Sequence, residues 1–322
     1  MRTRQLLAAV FLLVLGSQPA VNAAPILGSD FVGSYTVNNL GNVPGLPANY
    51  GGLTTLYGDP NTLLIGGGAN GAAGRLYTIG VTRDGDGHIT GFTGSASAYG
   101  NVGEYNDGGV VYGPGGVLFT ARWPVNGIGQ TRLGEFDEHR IDTVAGIESS
   151  VSAMNFVPAG FGGAGSLKVV TYSGGAFYDV AMTPDGTGTF DLSATFVTRL
   201  GGGPEGFVYV AAGNPGFTVN SMLVSEYGAG MVGAYEVDAL GNPIVASRRN
   251  FLTGLSGAEG AFIDPLTGDF LFSTFGSGNE VFRVSGFRAP EPPSQVPEPA
   301  SLALFGLGAL GVGIGVRRRR AA

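Results

Sequence analysis

Short apolar runs alternate with turns rich in Gly, Pro, Asn and Asp throughout residues 24–288. The runs consist mainly of Val, Ile, Leu, Phe, Tyr and Thr, the residue types that fit a pleated and half-buried strand. Almost no stretch of this region follows the 3.6-residue period of an amphipathic helix. The pattern therefore predicts an all-β region built from many short strands.

A weak internal repeat organises these strands. Its anchors are Gly52, Gly109, Asn155, Gly206 and Gly260, spaced 57, 46, 51 and 54 residues apart. Each anchor begins an apolar strand, and most are followed by a Pro/Gly turn, a second strand, a glycine-rich turn and a third strand. A fourth strand can follow the third in several units.

Four strands in roughly 50 residues is the organisation of a β-propeller blade, which must stack on neighbouring blades to bury both faces. The middle region resembles, in this order of strands and turns, the broad class of six-fold or NHL-like propellers. We predict a β-propeller-like domain of about five four-stranded units. A strand over residues 30–37 is expected to complete the last unit and close the ring. A β-sandwich or jelly roll is the alternative.

The composition limits the kinds of chemical site that the chain can form. The chain of 322 residues contains 59 glycines, about 18% against roughly 7% in ordinary proteins. Glycine reaches positive φ without steric cost, which suits tight turns. The absence of cysteine excludes disulfides and thiolate ligands, and two histidines cannot form a three-histidine zinc site within one chain.

The N-terminus has the three parts of a secretion signal. Arg2 and Arg4 precede an apolar run over residues 6–15, which is too short to cross a bilayer as a helix. The small residues that follow this run suit cleavage by signal peptidase. We place cleavage after Ala23, because cleavage after Ala24 would leave a proline directly after the scissile bond. Residues 1–23 are therefore predicted to be a signal peptide with a helical apolar part.

The C-terminus has a different three-part order. A proline-rich linker over residues 289–296 leads into a tail over residues 297–322. The tail contains an uncharged apolar run, 300–316, near the short limit for a transmembrane helix. Four basic residues that would stay cytoplasmic end this run: Arg317, Arg318, Arg319 and Arg320.

This tail resembles the PEP-CTERM sorting signal. The recognition residues would be Val296, Pro297, Glu298 and Pro299, which precede the apolar run and the arginines. The resemblance implies recognition and cleavage by an exosortase in a Gram-negative bacterium that makes exopolysaccharide. It implies export, transient residence in the inner membrane through the C-terminal helix, and then a cell-surface or extracellular location. A plain C-terminal membrane anchor is the alternative.

Processing would change the charge of the protein. Without residues 1–23 and 297–322, the chain keeps 23 acidic and 11 basic residues, for a formal charge of −12. Such a body is expected to repel nucleic acid and anionic membranes, so we predict no nucleic-acid partner. It can attract cations.

The first candidate site follows from the repeat. Asp107, Glu205 and Glu259 each directly precede a glycine at the start of a repeat strand. If the units are blades, these carboxylates occupy equivalent positions and can converge at the axis, where a hard cation such as calcium would suit them. Ordinary acidic residues of surface turns are the alternative.

Three further features of the sequence are candidates for a site. Residues 84–89 (DGDGHI) partly match a calcium loop, but a hairpin turn fits better because Thr82 and Thr93 would take the first and last ligand positions. Residues 135–140 place His139 beside carboxylates, where it could act as a base, but a solvated loop or edge is favoured because no nucleophile motif accompanies it. The lone tryptophan, Trp123, can stack on sugars or fill a core.

The sequence thus favours a non-enzymatic surface or matrix protein with a binding β-domain that contacts exopolysaccharide. No catalytic residue is assigned, and calcium is the single candidate cofactor. A metal-dependent propeller hydrolase or lyase is the alternative function.

Overall fold

A computed structural model describes residues 24–276 and 278–289. The predicted signal peptide, the linker beyond residue 289, the sorting motif, the transmembrane helix and the arginine cluster lie outside the described residues. Within the described residues, no helix combines the length and apolar character needed to cross a bilayer.

In the part of the chain that the structure describes, twenty-one strands form five antiparallel sheets. Two strands precede the repeat units: β1 (Ile26–Leu27) and β2 (Thr36–Gly41). Blade 1 contains β3 (Leu53–Leu56), β4 (Asp59–Gly67), β5 (Arg75–Arg83) and β6 (Ile89–Ala98). Blade 2 contains β7 (Asn106–Tyr112), β8 (Leu118–Arg122), β9 (Gly127–Thr131) and β10 (Arg140–Asp142). Blade 3 contains β11 (Val151–Phe156), β12 (Leu167–Thr171), β13 (Ala176–Pro184) and β14 (Phe190–Arg199).

The last two blades recruit the N-terminal strands. Blade 4 contains β15 (Pro204–Val210), β16 (Ser221–Glu226), β17 (Met231–Glu236) and β18 (Arg249–Thr253), with β1 added at its edge. Blade 5 contains β19 (Ala258–Ile263), β20 (Phe270–Thr274) and β21 (Val281–Ser285), with β2 as its outermost strand. Short 3-10 helices occupy Pro114–Gly116, Ser173–Gly175, Tyr227–Ala229 and Val245–Ser247.

This arrangement confirms the prediction of a five-bladed propeller with four-stranded units, and the sandwich alternative is wrong. The inner strands β3, β7, β11, β15 and β19 contact one another around the axis. The closing strand begins later than predicted, at Thr36, and pairs with β21 from the other end of the chain. Because β2 pairs with β21, the two ends of the chain close the ring. Blade 5 is then complete, and its third strand is not left as an exposed edge.

Five hydrophobic clusters fill the five interfaces between blades, because each sheet presents apolar side chains on both faces. The cluster between blades 4 and 5 is rich in aromatic rings. It also includes Phe31, which lies between β1 and β2 and is fully buried. The ring centroid of Phe31 lies 4.9 Å from that of Phe251 and 5.2 Å from that of Phe217. The N-terminal segment is therefore packed into the interface as well as paired at its edge.

Replacement of Phe31 by alanine should lower the free energy of unfolding by about 3–5 kcal/mol, because it leaves a cavity where the N-terminal segment closes the ring. Urea denaturation followed by fluorescence measures this change. Val32→Ala is the matched control, since Val32 is 65% exposed and its truncation should change stability by no more than about 0.5 kcal/mol. Equal effects of the two substitutions would contradict the packing described here.

Candidate functional site

A register shift near the start of the inner strands of blades 2 to 5 determines which side chains are directed toward the axis. Their first paired residues, Asn106, Val151, Pro204 and Ala258, lie opposite the last residue of the second strand in each blade. The register then slips, and a β-bulge of this kind turns a side chain away from the regular alternation. The residues at the slip are Asp107, Ser152, Glu205 and Glu259.

Glycine follows the acid in three of these blades because the inner strands nearly touch. A Cβ added at Gly108 would lie 1.5 Å from the carbonyl oxygen of Glu205, and one at Gly206 would lie 2.3 Å from that of Glu259. A Cβ at Gly260 would lie 2.6 Å from the Cα of Gly52. Real side chains cannot approach so closely, so these positions accept only glycine.

The structure brings Asp107, Glu205 and Glu259 together. One carboxylate oxygen from each lies within 4.8 Å of the corresponding oxygens of the other two. The three residues, here called the carboxylate triad, are 0%, 6% and 1% exposed. They are not surface turn acids, and the sequence expectation that equivalent repeat positions can converge at the axis agrees with this geometry.

The two remaining blades contribute no carboxylate at this level. Blade 1 has Gly51 and Gly52 there, while blade 3 has Ser152. The Ser152 hydroxyl lies 2.7 Å from the carbonyl oxygen of Pro204 and 3.1 Å from that of Val170, so it joins blade 3 to blade 4. Sequence analysis missed Ser152 because no glycine follows it and the anchor was placed at Asn155.

The electrostatics of the triad are unfavourable to ionisation. Burial raises the pKa of Asp107 to about 7. Burial, with the negative charge of the other triad members, raises the pKa of Glu205 and of Glu259 well above the usual range. The Asn70 side-chain amide donates to Asp107 Oδ1 at 3.0 Å.

Among the described residues, no donor outside the triad contacts one oxygen of each carboxylate, Asp107 Oδ2, Glu205 Oε2 and Glu259 Oε1, and the Asp107 side chain contacts those of Glu205 and Glu259. No Lys, Arg or His of the described residues forms an ion pair with the triad. A buried carboxylate oxygen without a partner costs free energy, so this cluster is suited to bind a proton or a cation. Because the three side chains are almost fully buried, little of each carboxylate is open to solvent.

Aromatic side chains surround the end of the propeller at which the triad lies. The residue that directly follows the second strand is Trp123, Tyr172, Tyr227 or Phe275 in blades 2 to 5 and Gly68 in blade 1. These four half-buried aromatic residues are here called the aromatic collar. Because antiparallel pairing places the end of each second strand beside the start of each inner strand, collar and triad share one end.

Three collar rings form a continuous arc. The Tyr172 and Tyr227 centroids lie 6.0 Å apart, and the Tyr227 and Phe275 centroids lie 6.1 Å apart, both in edge-to-face geometry. Burial raises the pKa of the Tyr227 phenol, and the charges of Glu259 and Glu205 add to this effect. The arc therefore lies near the triad. Sequence analysis singled out only Trp123, since the shared position appears only when strand ends are known.

The other sequence candidates are structural. Residues 84–88 form the hairpin turn between β5 and β6, in which Asp84 Oδ1 accepts hydrogen bonds from the amides of Asp86 and His88. The His88 ring nitrogen Nδ1 lies 2.6 Å from Asp269 Oδ2 in blade 5. This geometry agrees with the hairpin interpretation of the segment.

Residues 135–139 lie between β9 and β10, Arg140 begins β10, and this segment takes part in ion pairs. His139 lies 3.7 Å from Glu135, while Arg140 contacts Asp142, Asp185 and Asp191. Glu138 is a partial exception to the expected solvated loop, because its side chain is only 6% exposed and forms an ion pair with Arg122. The contacts of Arg140 with Asp185 and Asp191 connect blade 2 with blade 3.

Comparison with known proteins assigns the tail. Residues 295–320 match the family model of the PEP-CTERM protein-sorting motif. The chain carries a PEP-CTERM sorting motif. The prediction from Val296 to Pro299, the apolar run and the arginines is thereby confirmed at the level of the motif. It marks an exported, cell-surface-sorted protein that is processed by an exosortase. No curated protein matches the chain.

Several solved structures are similar to this chain at low sequence identity. An auxiliary nutrient binding protein from Bacteroides thetaiotaomicron is 9% identical, with a TM-score of 0.46 over 78% of this chain and 76% of that one. Virginiamycin B lyase from Staphylococcus aureus is 14% identical, with a TM-score of 0.40 over 78% and 99%. Aldose sugar dehydrogenase from Streptomyces coelicolor is 13% identical, with a TM-score of 0.41 over 76% and 83%.

The triad should make stability fall with rising pH in a buffer that contains a chelator. Unfolded Asp and Glu lose their protons near pH 4, whereas the folded triad keeps them to higher pH. The unfolded state then binds fewer protons, so stability is greatest below pH 4 for these groups and is lost as pH rises through their folded pKa values. Urea denaturation between pH 5 and pH 8 should show this decrease in the free energy of unfolding.

Glu259→Gln should flatten this dependence, because an amide cannot ionise. Asp86→Asn, at an exposed carboxylate in the β5–β6 turn, is the control and should leave the slope unchanged. A slope that survives Glu259→Gln would show that other groups produce it.

Proposed function

We propose that this protein is a cell-surface or matrix component whose propeller is a non-enzymatic binding module for extracellular polysaccharide. A signal peptidase would remove residues 1–23, and the C-terminal helix would hold the precursor in the inner membrane of a Gram-negative bacterium. An exosortase would then act near Pro297, Glu298 and Pro299. The aromatic collar is the observation that supports the binding role.

The collar offers the chemistry that sugars require. Tyr172, Tyr227 and Phe275 present half-buried rings along one arc, and Trp123 occupies the same position in blade 2. Aromatic faces pack against the apolar C–H faces of sugar rings, and tyrosine adds a hydroxyl at the edge. Since the processed body carries a formal charge of −12, neutral polysaccharide is favoured over anionic polysaccharide.

The enclosure of the triad argues against the alternative of a metal-dependent hydrolase or lyase. A catalytic carboxylate or metal must contact the reacting atoms, and a catalytic metal keeps a coordination position open to substrate. Asp107 and Glu259 are 0% and 1% exposed at an axis where the inner strands touch. The convergence of three carboxylates favours a metal, but their burial favours a structural one.

Mass spectrometry of the protein isolated from its host tests the processing. The mature form should begin at Ala24 and should lack the tail that contains Arg317, Arg318, Arg319 and Arg320. Glu298→Ala should leave the tail attached if the Pro-Glu-Pro motif is what the exosortase recognises. A mature wild-type protein that retains its arginines would overturn this part of the proposal.

Titration calorimetry of the mature protein with the neutral polysaccharide fraction of its host tests the binding. Tyr227→Ala should weaken binding about tenfold, which corresponds to about 1.4 kcal/mol for one lost aromatic contact. Phe196→Ala is the control, because Phe196 is 51% exposed on the outermost strand of blade 3, which is separated by β13 from β12, the strand that precedes Tyr172. Equal affinities of wild type and Tyr227→Ala, or no binding of neutral polysaccharide, would contradict the assignment of this face.

A further inference from the structure

We propose that Asp107, Glu205 and Glu259 bind one calcium ion at the propeller axis, and that this ion joins blades 2, 4 and 5. The proposal rests on the convergence of three buried carboxylates from separate blades, each with one oxygen that no donor outside the triad contacts among the described residues. It does not depend on the nature of the ligand at the collar.

The spacing of the oxygens fits a single ion. Calcium binds oxygen ligands at about 2.3–2.6 Å, so two ligands on opposite sides of the ion lie at most about 5 Å apart. The three triad oxygens lie within 4.8 Å of one another. One ion can therefore contact all three carboxylates without a change in the position of the inner strands.

The charges close to the triad are already paired. Arg122 and Arg248 belong to the same end of the propeller, but Arg122 contacts Glu104 at 3.1 Å and also Glu138. The Nε atom of Arg248 donates to Glu226 at 2.8 Å. Within residues 24–276 and 278–289 no basic side chain forms an ion pair with the triad, so a bound cation would supply the missing positive charge.

A further oxygen lies one residue from the triad in the sheet. Ser225 pairs with Gly206, the residue after Glu205, in the β15–β16 ladder. Its hydroxyl is fully buried and has no hydrogen-bond partner. Calcium takes six to eight oxygens, and carboxylates can each supply two, so the triad with a neighbouring hydroxyl or carbonyl approaches a full set.

The donor set selects calcium over other divalent cations. All three triad ligands are carboxylates, whereas structural zinc sites are built from cysteine and histidine. Both histidines of the chain are engaged elsewhere, His88 with Asp269 and His139 with Glu135. Magnesium requires near-ideal octahedral geometry and usually keeps several waters, which the closely approaching inner strands do not favour.

Thermal unfolding of the full-length protein, in EDTA and with calcium chloride, tests the site. With free calcium a hundredfold above Kd, the Tm should rise by about 5–10 °C, because the ion binds only the folded ring. Equal magnesium should raise the Tm by much less. Native mass spectrometry should detect one calcium per chain. No calcium-dependent shift, or an equal shift with magnesium, would overturn the proposal.

Glu205→Gln separates a metal site from a cluster that merely shares protons. In EDTA at pH 8 the variant should be at least as stable as wild type, since glutamine removes a carboxylate from an uncompensated buried group. With calcium it should be less stable than wild type, and its Tm shift should fall to near zero. Asp86→Asn should keep the full shift. A calcium response in Glu205→Gln equal to that of wild type would also overturn the proposal.

Discussion

Contact between inner strands at the axis is the constraint on which the rest of the structure depends. The backbones at Gly52, Gly108, Gly206 and Gly260 approach so closely that no side chain fits between them. A bulge precedes the contact in the blades that carry the acids, so the residue before the glycine is turned toward the axis. Steric exclusion and charge are thus linked along the sequence. The position where the backbones touch accepts only glycine, and the bulge directs the carboxylate of the preceding residue toward the axis.

Much of the fold follows from local rules, and the sequence therefore predicts it. Turn glycines and β-branched runs are local features, so the anchors, the second strands and the number of blades were predictable. Blade 2 was the hardest unit to predict from the sequence, since its third strand, Gly127–Thr131, has two glycines and little apolar character. Ring closure placed the final strand at Thr36–Gly41 rather than 30–37, because Phe31 packs in the interface instead of pairing.

The site was predictable only where residue type and repeat position coincide. Three acids precede repeat glycines, so their equivalence could be inferred before any coordinates. Ser152 occupies the same position without a glycine, and its place depends on the pairing of Val151 with Thr171. The collar was harder to predict from the sequence. Tyr172 and Tyr227 are recognised as equivalent only when the ends of both second strands are known to lie at the same end of the propeller. The burial of the triad depends on all five blades, so no local sequence pattern predicts it.

The triad and the collar are mechanically connected. Tyr227 follows β16 directly, and β16 pairs along its length with β15, which carries Glu205. Phe275 follows β20, which pairs with β19, the strand that carries Glu259. An ion shared by Glu205 and Glu259 would hold β15 and β19 at a fixed spacing, and with them the positions from which two collar rings project. A rigid arc binds a ligand with less loss of conformational entropy than a mobile one. A neutralised axis would therefore strengthen binding at the collar without touching the ligand.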